Sequence, residues 1–353
     1  MRILQLLAGY DSAGLFGSIV PLIKELRKRG HEVEEEFIPL RTKTMDDVRD
    51  SAEVLASVVP RFRWADVVHV HTPTVHRLLA MSGIVPDGVG LVSSRHATGI
   101  PTDPEWRVAA KRTDVFVPVA RFLMQEFFDS GVPAGKIMPV HNGIYTDRYQ
   151  GHRAAAKRAL GIAPENLVVG FTGRLSWVKN LRNTVGAVVS AIKASRLPAV
   201  FVIVGAGKEG AALSSLIEDQ EWEHLVKMIG FVKNDELSEV LPAFDIAVHY
   251  SWTEACSISL IEYLASGSAV VVSSVPGNRE VVGSSGVVVK LTPPALATAV
   301  QALLVDEDYR LRMQRAALDR AKMFDVRRTA AQMEIVYQMA MGRCVARVRS
   351  ARS

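Results

Sequence analysis

The sequence predicts an α/β protein of two doubly wound parallel domains in tandem, with a final helix that crosses back to the first. Three observations carry this. Strand-like apolar runs alternate with helical ones through nearly the whole chain, the pattern that places helices on both faces of parallel sheets. The alternation lapses once, near HRAAAKRALGIAPEN, into a polar helix and a Gly/Pro turn, and then restarts. A chain of 353 residues, 48% of them hydrophobic, is long enough to bury two separate cores. The expected domains are 1–163 and 164–325, followed by 326–353 as a cross-over helix and basic tail.

RILQLL reads as the first buried strand, and SIVPLIKELRKRG as the amphipathic helix that follows it. EVEEEFIPL, DVVHVH, VGLVSS, DVFVPV and KIMPVH complete the strands of the first half. The second half begins with LVVGFTG and continues through AVFVIVG, LVKMIG, DIAVHYS, AVVVSS and GVVV, and Val326 to Met341 again has helical spacing. Doubly wound domains hold ligands on loops at the carboxyl ends of their strands, and two in tandem leave a cleft between those ends. The unusual residue clusters fall in such loops: AGYDSAGLFG, HTPTV, SRHATG, HNGIYTDRY, GRLSWVKN, GAGKEG, HYSWTEAC and SSVPGNRE. The expected site is therefore the interdomain cleft.

Composition removes several classes of function. No apolar run approaches the roughly 20 residues that span a bilayer, and the N-terminus lacks a cleavage pattern, so a cytoplasmic protein is expected. Cys256 and Cys344 are the only cysteines, too few for a disulfide framework or a zinc site. HVH at residues 69–71 lacks a third ligand at suitable spacing, and no convincing Asp-x-Asp pair is present, so no metal is expected. The net charge of +5 is partly concentrated in the tail RVRSARS and on the first helix, which makes an anionic membrane surface a candidate partner. No basic stripe interleaved with aromatics points to nucleic acid.

Four groups of residues carry candidate chemistry. Glu254 and Glu262 stand between two buried strands; on one helix they would be about 12 Å apart, from a rise of roughly 1.5 Å per residue. Carboxylates flanking one glycosidic bond sit about 5 to 9.5 Å apart, so this pair is suited to hold two parts of an extended ligand. Arg174 and Lys179 lie in a loop just past a buried strand, where two cations fit a diphosphate leaving group whose charge rises as its bond breaks. His96 follows a strand directly at the cleft edge, whereas His69, His71, His76, His141, His152, His224 and His249 are expected to include several structural residues. VIVGAGKEG matches a dinucleotide fingerprint, but the next strand, LVKMIG, ends in no ribose-binding acid, so it reads as a tight turn able to approach a ligand.

The order of these motifs resembles the retaining nucleotide-sugar glycosyltransferases of the GT-B fold, specifically glycosyltransferase family 4. FTGRLSWVKN resembles the family's Gly-Arg loop, the stretch from IGFVKNDELSEV to NREVV its nucleotide-sugar signature with an E-x7-E element, and VHNGIYTDRY its segment before the domain junction. The resemblance implies that Gly173, Arg174 and Lys179 hold the donor diphosphate of a UDP- or GDP-sugar and that Glu262 binds the ribose. It further implies that Glu254 faces the donor sugar, with backbone amides of Ala255, Cys256, Ser257 and Ile258 near the phosphates. His96 would contact the transferred sugar, and Gly14 would let the first loop approach the diphosphate. No cofactor or metal is implied beyond the nucleotide-sugar itself, and the acceptor would be a saccharide or lipid-linked saccharide of envelope polysaccharide or lipopolysaccharide assembly.

Two departures stand out. The family's first-loop Gly-Gly pair is Ala13-Gly14 here, and its Gly-Phe-Gly after the first glutamate is Ala255-Cys256-Ser257. The rival enzymatic reading is a nucleotide-sugar epimerase or hydrolase of the same fold, which would consume donor without an added acceptor. The non-enzymatic rival is a donor-binding partner of an assembly complex, against which the intact Glu254, Arg174 and Lys179 argue.

Overall fold

The structure is a computed structural model that describes residues 1–8, 13–38, 58–100 and 103–350. It divides into two compact units: Met1–Gly143 with Val326–Ser353, and Ile144–Asp325. Each is built on one parallel sheet.

In the first unit the strands are β1 (Arg2–Ala8), β2 (Glu32–Ile38), β3 (Val67–Val70), β4 (Gly90–Arg95) and β5 (Val115–Pro118). They are ordered β2-β1-β3-β4-β5, so the chain starts in the sheet's interior and winds outwards both ways. Every residue of β3 and β5 is buried, as expected of strands covered on both faces. Strand β2 at the edge is instead mostly solvated, with only Val33 and Ile38 buried and Glu34 and Glu36 turned towards Arg61. The last helix, Val326–Ser350, packs on this unit through Val336, Tyr337 and Ala340, all fully buried.

KIMPVH, expected as a strand, is not one. It runs beside β5 with a single bridge, Phe116 to Ile137. Met138 and Val140 donate their N–H groups to the carbonyls of Phe116 and Pro118 at 2.9 and 3.1 Å. A parallel ladder needs a return bond from residue 118 to the Met138 carbonyl, and Pro118 has no N–H to give. The ladder therefore stops after one rung.

The second unit holds β6 (Leu167–Thr172), β7 (Ala199–Val204), β8 (Val226–Gly230), β9 (Ile246–His249), β10 (Ala269–Ser273) and β11 (Gly286–Val289). Their order is β11-β10-β9-β6-β7-β8, all parallel. Its apolar core joins Val185, Val188 and Ile192 of the helix Leu181–Ser195 to Phe201, Ile246, Val271, Val300 and Leu303.

The chain enters this unit at Ile144, ahead of the boundary expected at 163. Polar contacts decide the difference. Tyr149 reaches Glu262, Arg153 donates to the Gly267 carbonyl at 3.0 Å, and Lys157 pairs with buried Asp245 at 2.7 Å. The polar helix expected at the end of the first domain, Arg153–Ala159, is thus anchored to the second sheet by ions that a hydrophobic period does not register. The chain leaves where it entered, since Ile144 pairs with Asp325 in an isolated bridge.

Candidate active site

The second unit gathers most of the candidate residues at the carboxyl ends of β6 and β9. Strand β6 ends at Thr172 and runs into Gly173, Arg174 and a short turn, Trp177–Lys179. This loop lies against the one after β7: Gly173 N–H donates to the Val204 carbonyl and Leu175 N–H to that of Ala206, both at 3.0 Å. Side chains at Gly205 and Gly207 would strike the carbonyls of Gly173 and Leu175, and their φ values of +140° and +159° also disfavour any other residue. The glycines of VIVGAGKEG therefore let the Arg174 loop close in. The expected approach to a ligand is an approach to a neighbouring loop.

Arg174 is exposed, whereas Lys179 folds inward, its Nζ donating to Glu254 Oε1 at 2.6 Å. The same oxygen lies 3.0 Å from Nε2 of His249, the last residue of β9. Burial alone would raise the Glu254 pKa, but the Lys179 charge and the His249 contact outweigh it together and hold the carboxyl far below its ordinary range. His249 is pushed the other way, below the usual imidazole value, by burial and by Lys179. Glu254 is thus a carboxylate gripped by one cation and one neutral imidazole.

After Glu254 the backbone of Ala255, Cys256 and Ser257 leads into the helix Ile258–Ala265. Ser257 caps it, its hydroxyl oxygen accepting from Leu260 N–H at 3.5 Å, which leaves the first-turn amides of a helix N-terminus directed outward, as an anion requires. Ala255 and Cys256 are buried, so both side chains fill space beside the loop. Gly277, in the first turn of the helix Pro276–Val282 after β10, fits because a Cβ there would meet the carbonyls of Glu254 and Ala255.

Glu262 sits on the same helix, 3% exposed, and accepts a hydrogen bond from Tyr149 Oη at 2.9 Å. Among the described residues no cation pairs with it at salt-bridge distance, and burial raises its pKa to about 7. Tyr263 beside it exchanges hydrogen bonds with the Thr172 backbone, tying this helix to the end of β6. The two glutamates accordingly have separate partners, and Glu254 lies in the loop, not on the helix with Glu262.

In the first unit, His96 follows β4 and is partly exposed. Its Nε2 lies 3.2 Å from Nδ1 of His71, whose Nε2 is 2.7 Å from Gln5 Oε1. Burial, with a smaller push from Arg95, lowers the His96 pKa to about 3, so the ring is neutral at neutral pH. Gly14 is the second residue of the helix Ala13–Lys28; residues 9–12 of its loop lie outside the described residues.

Sequence reasoning missed His249, Tyr149, Gln5, His71 and Tyr337. His249 could have been singled out, since it ends a buried strand five residues before Glu254. The others touch partners far away in sequence and leave no local signal.

Two parallel doubly wound sheets, with cations and a carboxylate at the strand ends of the second, define a glycosyltransferase-like GT-B architecture. Residues 152–320 match the glycosyl transferases group 1 family and residues 14–148 match glycosyltransferase family 4. The chain belongs to that family. A curated relative, N-acetyl-alpha-D-glucosaminyl L-malate synthase of Bacillus anthracis, is 23% identical over 364 residues, covering 93% of this chain and 94% of the relative. Other curated relatives are matched over about half their length, 47% in one case and 43% in another. Among solved structures, Anabaena Alr3699/HepE in complex with UDP and glucose superposes with a TM-score of 0.78 at 20% identity, covering 95% of this chain and 98% of that one. WaaG, a glycosyltransferase involved in lipopolysaccharide biosynthesis, gives 0.72 at 18% identity, with 94% and 98% covered. These likenesses are of fold.

Proposed function

We propose that the protein is a retaining glycosyltransferase that moves a sugar from a nucleoside diphosphate to a hydroxyl of a saccharide or lipid-linked saccharide, without a metal ion. The observation that carries this reading is the second unit's charge arrangement. Lys179 is held against Glu254 beside the capped N-terminus of a helix that buries Glu262. A diphosphate arriving there takes Arg174, Lys179 and the amides of residues 255–258 as its donors, while Glu262 accepts from the ribose hydroxyls. Lys179 then divides its charge between Glu254 and the phosphates, and its hold on the leaving group strengthens as negative charge develops. Glu254 faces the donor sugar, His96 receives a group of the transferred sugar, and Gly14 admits the first loop to the diphosphate. The family resemblance favours retention by substitution on one face, with the leaving phosphate taking the acceptor's proton.

UDP is the favoured nucleotide, because HepE is a UDP and UDP-glucose complex. The WaaG likeness supports envelope polysaccharide or lipopolysaccharide assembly as the setting. A thermal-shift panel of UDP-, GDP- and ADP-sugars tests the donor, since a ligand at 100 times its Kd stabilises by about 2.7 kcal/mol. The donor that binds should be turned over with saccharide acceptors in EDTA, and NMR of the product should show the donor's anomeric configuration. Donor consumption without acceptor would favour an epimerase or hydrolase; an absolute need for a divalent ion would overturn the metal-free reading.

Docking on an anionic membrane would reconcile a lipid-linked acceptor with a chain whose described helices are not long and apolar enough to cross a bilayer. The basic residues counted for this are not all at liberty: Arg29 pairs with Glu334 at 2.7 Å and Arg347 with Asp114 at 3.0 Å. Attraction would come from whichever basic residues reach the lipid, at about 1 kcal/mol per residue near the surface. Sedimentation with phosphatidylserine vesicles should show binding that salt reverses; equal failure with neutral and anionic vesicles at low salt would point to a soluble acceptor.

A further inference from the structure

The first unit contains a buried chain of polar groups whose purpose the proposed reaction does not by itself explain. It begins at Ser94 on β4 and ends at His96, and it passes through the last helix. His69 Nε2 is 2.7 Å from Ser94 Oγ, and His69 Nδ1 is 3.0 Å from Tyr337 Oη. Gln5 Nε2 donates to the same Tyr337 oxygen at 3.0 Å, Gln5 Oε1 is 2.7 Å from His71 Nε2, and His71 Nδ1 is 3.2 Å from His96 Nε2. Gln5, His69, His71, Ser94 and Tyr337 are all buried.

Neutral imidazoles make this chain directional. Each ring carries one proton, so one nitrogen donates and the other accepts. With Gln5 Oε1 as acceptor, His71 must carry its proton on Nε2 and present a lone pair at Nδ1. His96 must then donate from Nε2, which leaves His96 Nδ1 as an acceptor. On the other side, Tyr337 accepts from Gln5, so its own proton goes to His69 Nδ1, and His69 donates from Nε2 to Ser94. The three rings share one tautomer, and only a flip of the Gln5 amide together with the Tyr337 hydroxyl reverses them all at once. In the forward direction the group left over is the lone pair of His96 Nδ1, which is buried and has no partner. In the reverse direction it would be a buried, unpartnered N–H, the rarer and costlier of the two outcomes.

We propose that Tyr337, Gln5 and His71 are positioning residues that hold His96 in its Nε2–H form, so that Nδ1 is an acceptor and the ligand group it receives is a hydroxyl rather than an oxyanion. This deepens the proposed function, on which it rests for the identity of the ligand but not for the relay. His96 lines a small pocket with Ser94, His141, Asn142 and Thr329. The relay also gives the last helix a chemical duty, since Tyr337 is its contact with both Gln5 and His69. Charge cannot substitute for the tautomer: the neighbouring His71 ring is neutral, and burial together with the Arg95 guanidinium disfavours a second proton on His96.

The test is imidazole nitrogen NMR on the 15N-labelled full chain. His69, His71 and His96 should each show the Nε2–H pattern and none should titrate between pH 5 and 8. Gln5→Leu should mix the tautomers of His71 and His96 and lower turnover about tenfold, the scale of one hydrogen bond's net worth. Gln5→Glu, whose carboxylate still accepts from His71 Nε2, should restore both the tautomer and most of the turnover, an outcome that a merely space-filling role for Gln5 does not produce. Tyr337→Phe should introduce a minority Nδ1–H population. Nδ1–H forms in the unaltered protein, or a spectrum unmoved by Gln5→Leu, would overturn the relay. A normal spectrum in a protein that turns over no nucleotide-sugar would overturn only the proposed reaction.

Discussion

The two units solve the problem of buried polar chemistry in opposite ways. In the second, charge is kept and balanced: Lys179 and Glu254 form an ion pair at 2.6 Å with side chains 17% and 13% exposed. In the first, charge is removed: His69 and His96 both have their pKa lowered to about 3 by burial, and what remains is a line of neutral donors and acceptors. A paired ion can change partner when a diphosphate arrives, whereas a neutral relay only orients. The contrast teaches that the second unit can exchange charged partners, whereas the first offers fixed neutral donors and acceptors.

The largest test of that contrast removes the cations. Arg174→Ala or Lys179→Ala should each lower turnover by about 10²- to 10³-fold, the scale for one lost electrostatic stabiliser. The two should differ in stability. Lys179→Ala leaves the Glu254 charge with only a neutral imidazole and should lower Tm, while Lys179→Met with Glu254→Gln should recover Tm but not turnover. A double variant that keeps activity would refute the assignment.

The glutamates divide the second unit further. Glu254→Gln should mainly lower kcat and Glu262→Gln mainly raise KM, because ribose is held alike before and during the reaction. Effects on KM alone from both would end the division of labour.

A smaller effect separates Glu262 by pH. Its pKa is raised from 4.5 to about 7, so the folded protein retains a proton that the unfolded chain gives up. The stability this group contributes is complete below pH 4.5 and is lost as pH rises towards 7. Glu262→Gln should therefore raise Tm relative to the parent at pH 8 and leave it unchanged near pH 4. Donor binding, which needs the carboxylate, should tighten over the same rise. Equal Tm differences at both pH values would show that Glu262 is ionised throughout.

The smallest change is Tyr149→Phe. Losing that hydrogen bond should raise the Glu262 pKa further and weaken donor binding at pH 7 a few-fold, on the scale of about 1 kcal/mol. The defect should shrink by pH 9, where Glu262 is ionised in either protein. A defect independent of pH would mean that Tyr149 acts by packing.

What the sequence determined by itself is whatever short-range pattern encodes. Alternating strand and helix runs gave two parallel sheets, and residues following buried strands, such as Arg174, Glu254 and His96, fall at strand carboxyl ends because the strand's length places them there. Its failures have one cause. KIMPVH has a strand's composition but lies beside Pro118, whose missing N–H becomes decisive only once the two segments are neighbours. The domain boundary was misread because Lys157 meets Asp245 and Tyr149 meets Glu262 across long stretches of chain. Only the tertiary structure decided which groups share a proton: Gln5, His71, His96 and Tyr337 come from four separate segments. Hydrogen bonds and ion pairs reach only about 3 to 4 Å, so their energies depend on which segments folding brings together, whereas hydrophobic periodicity is written along the chain itself.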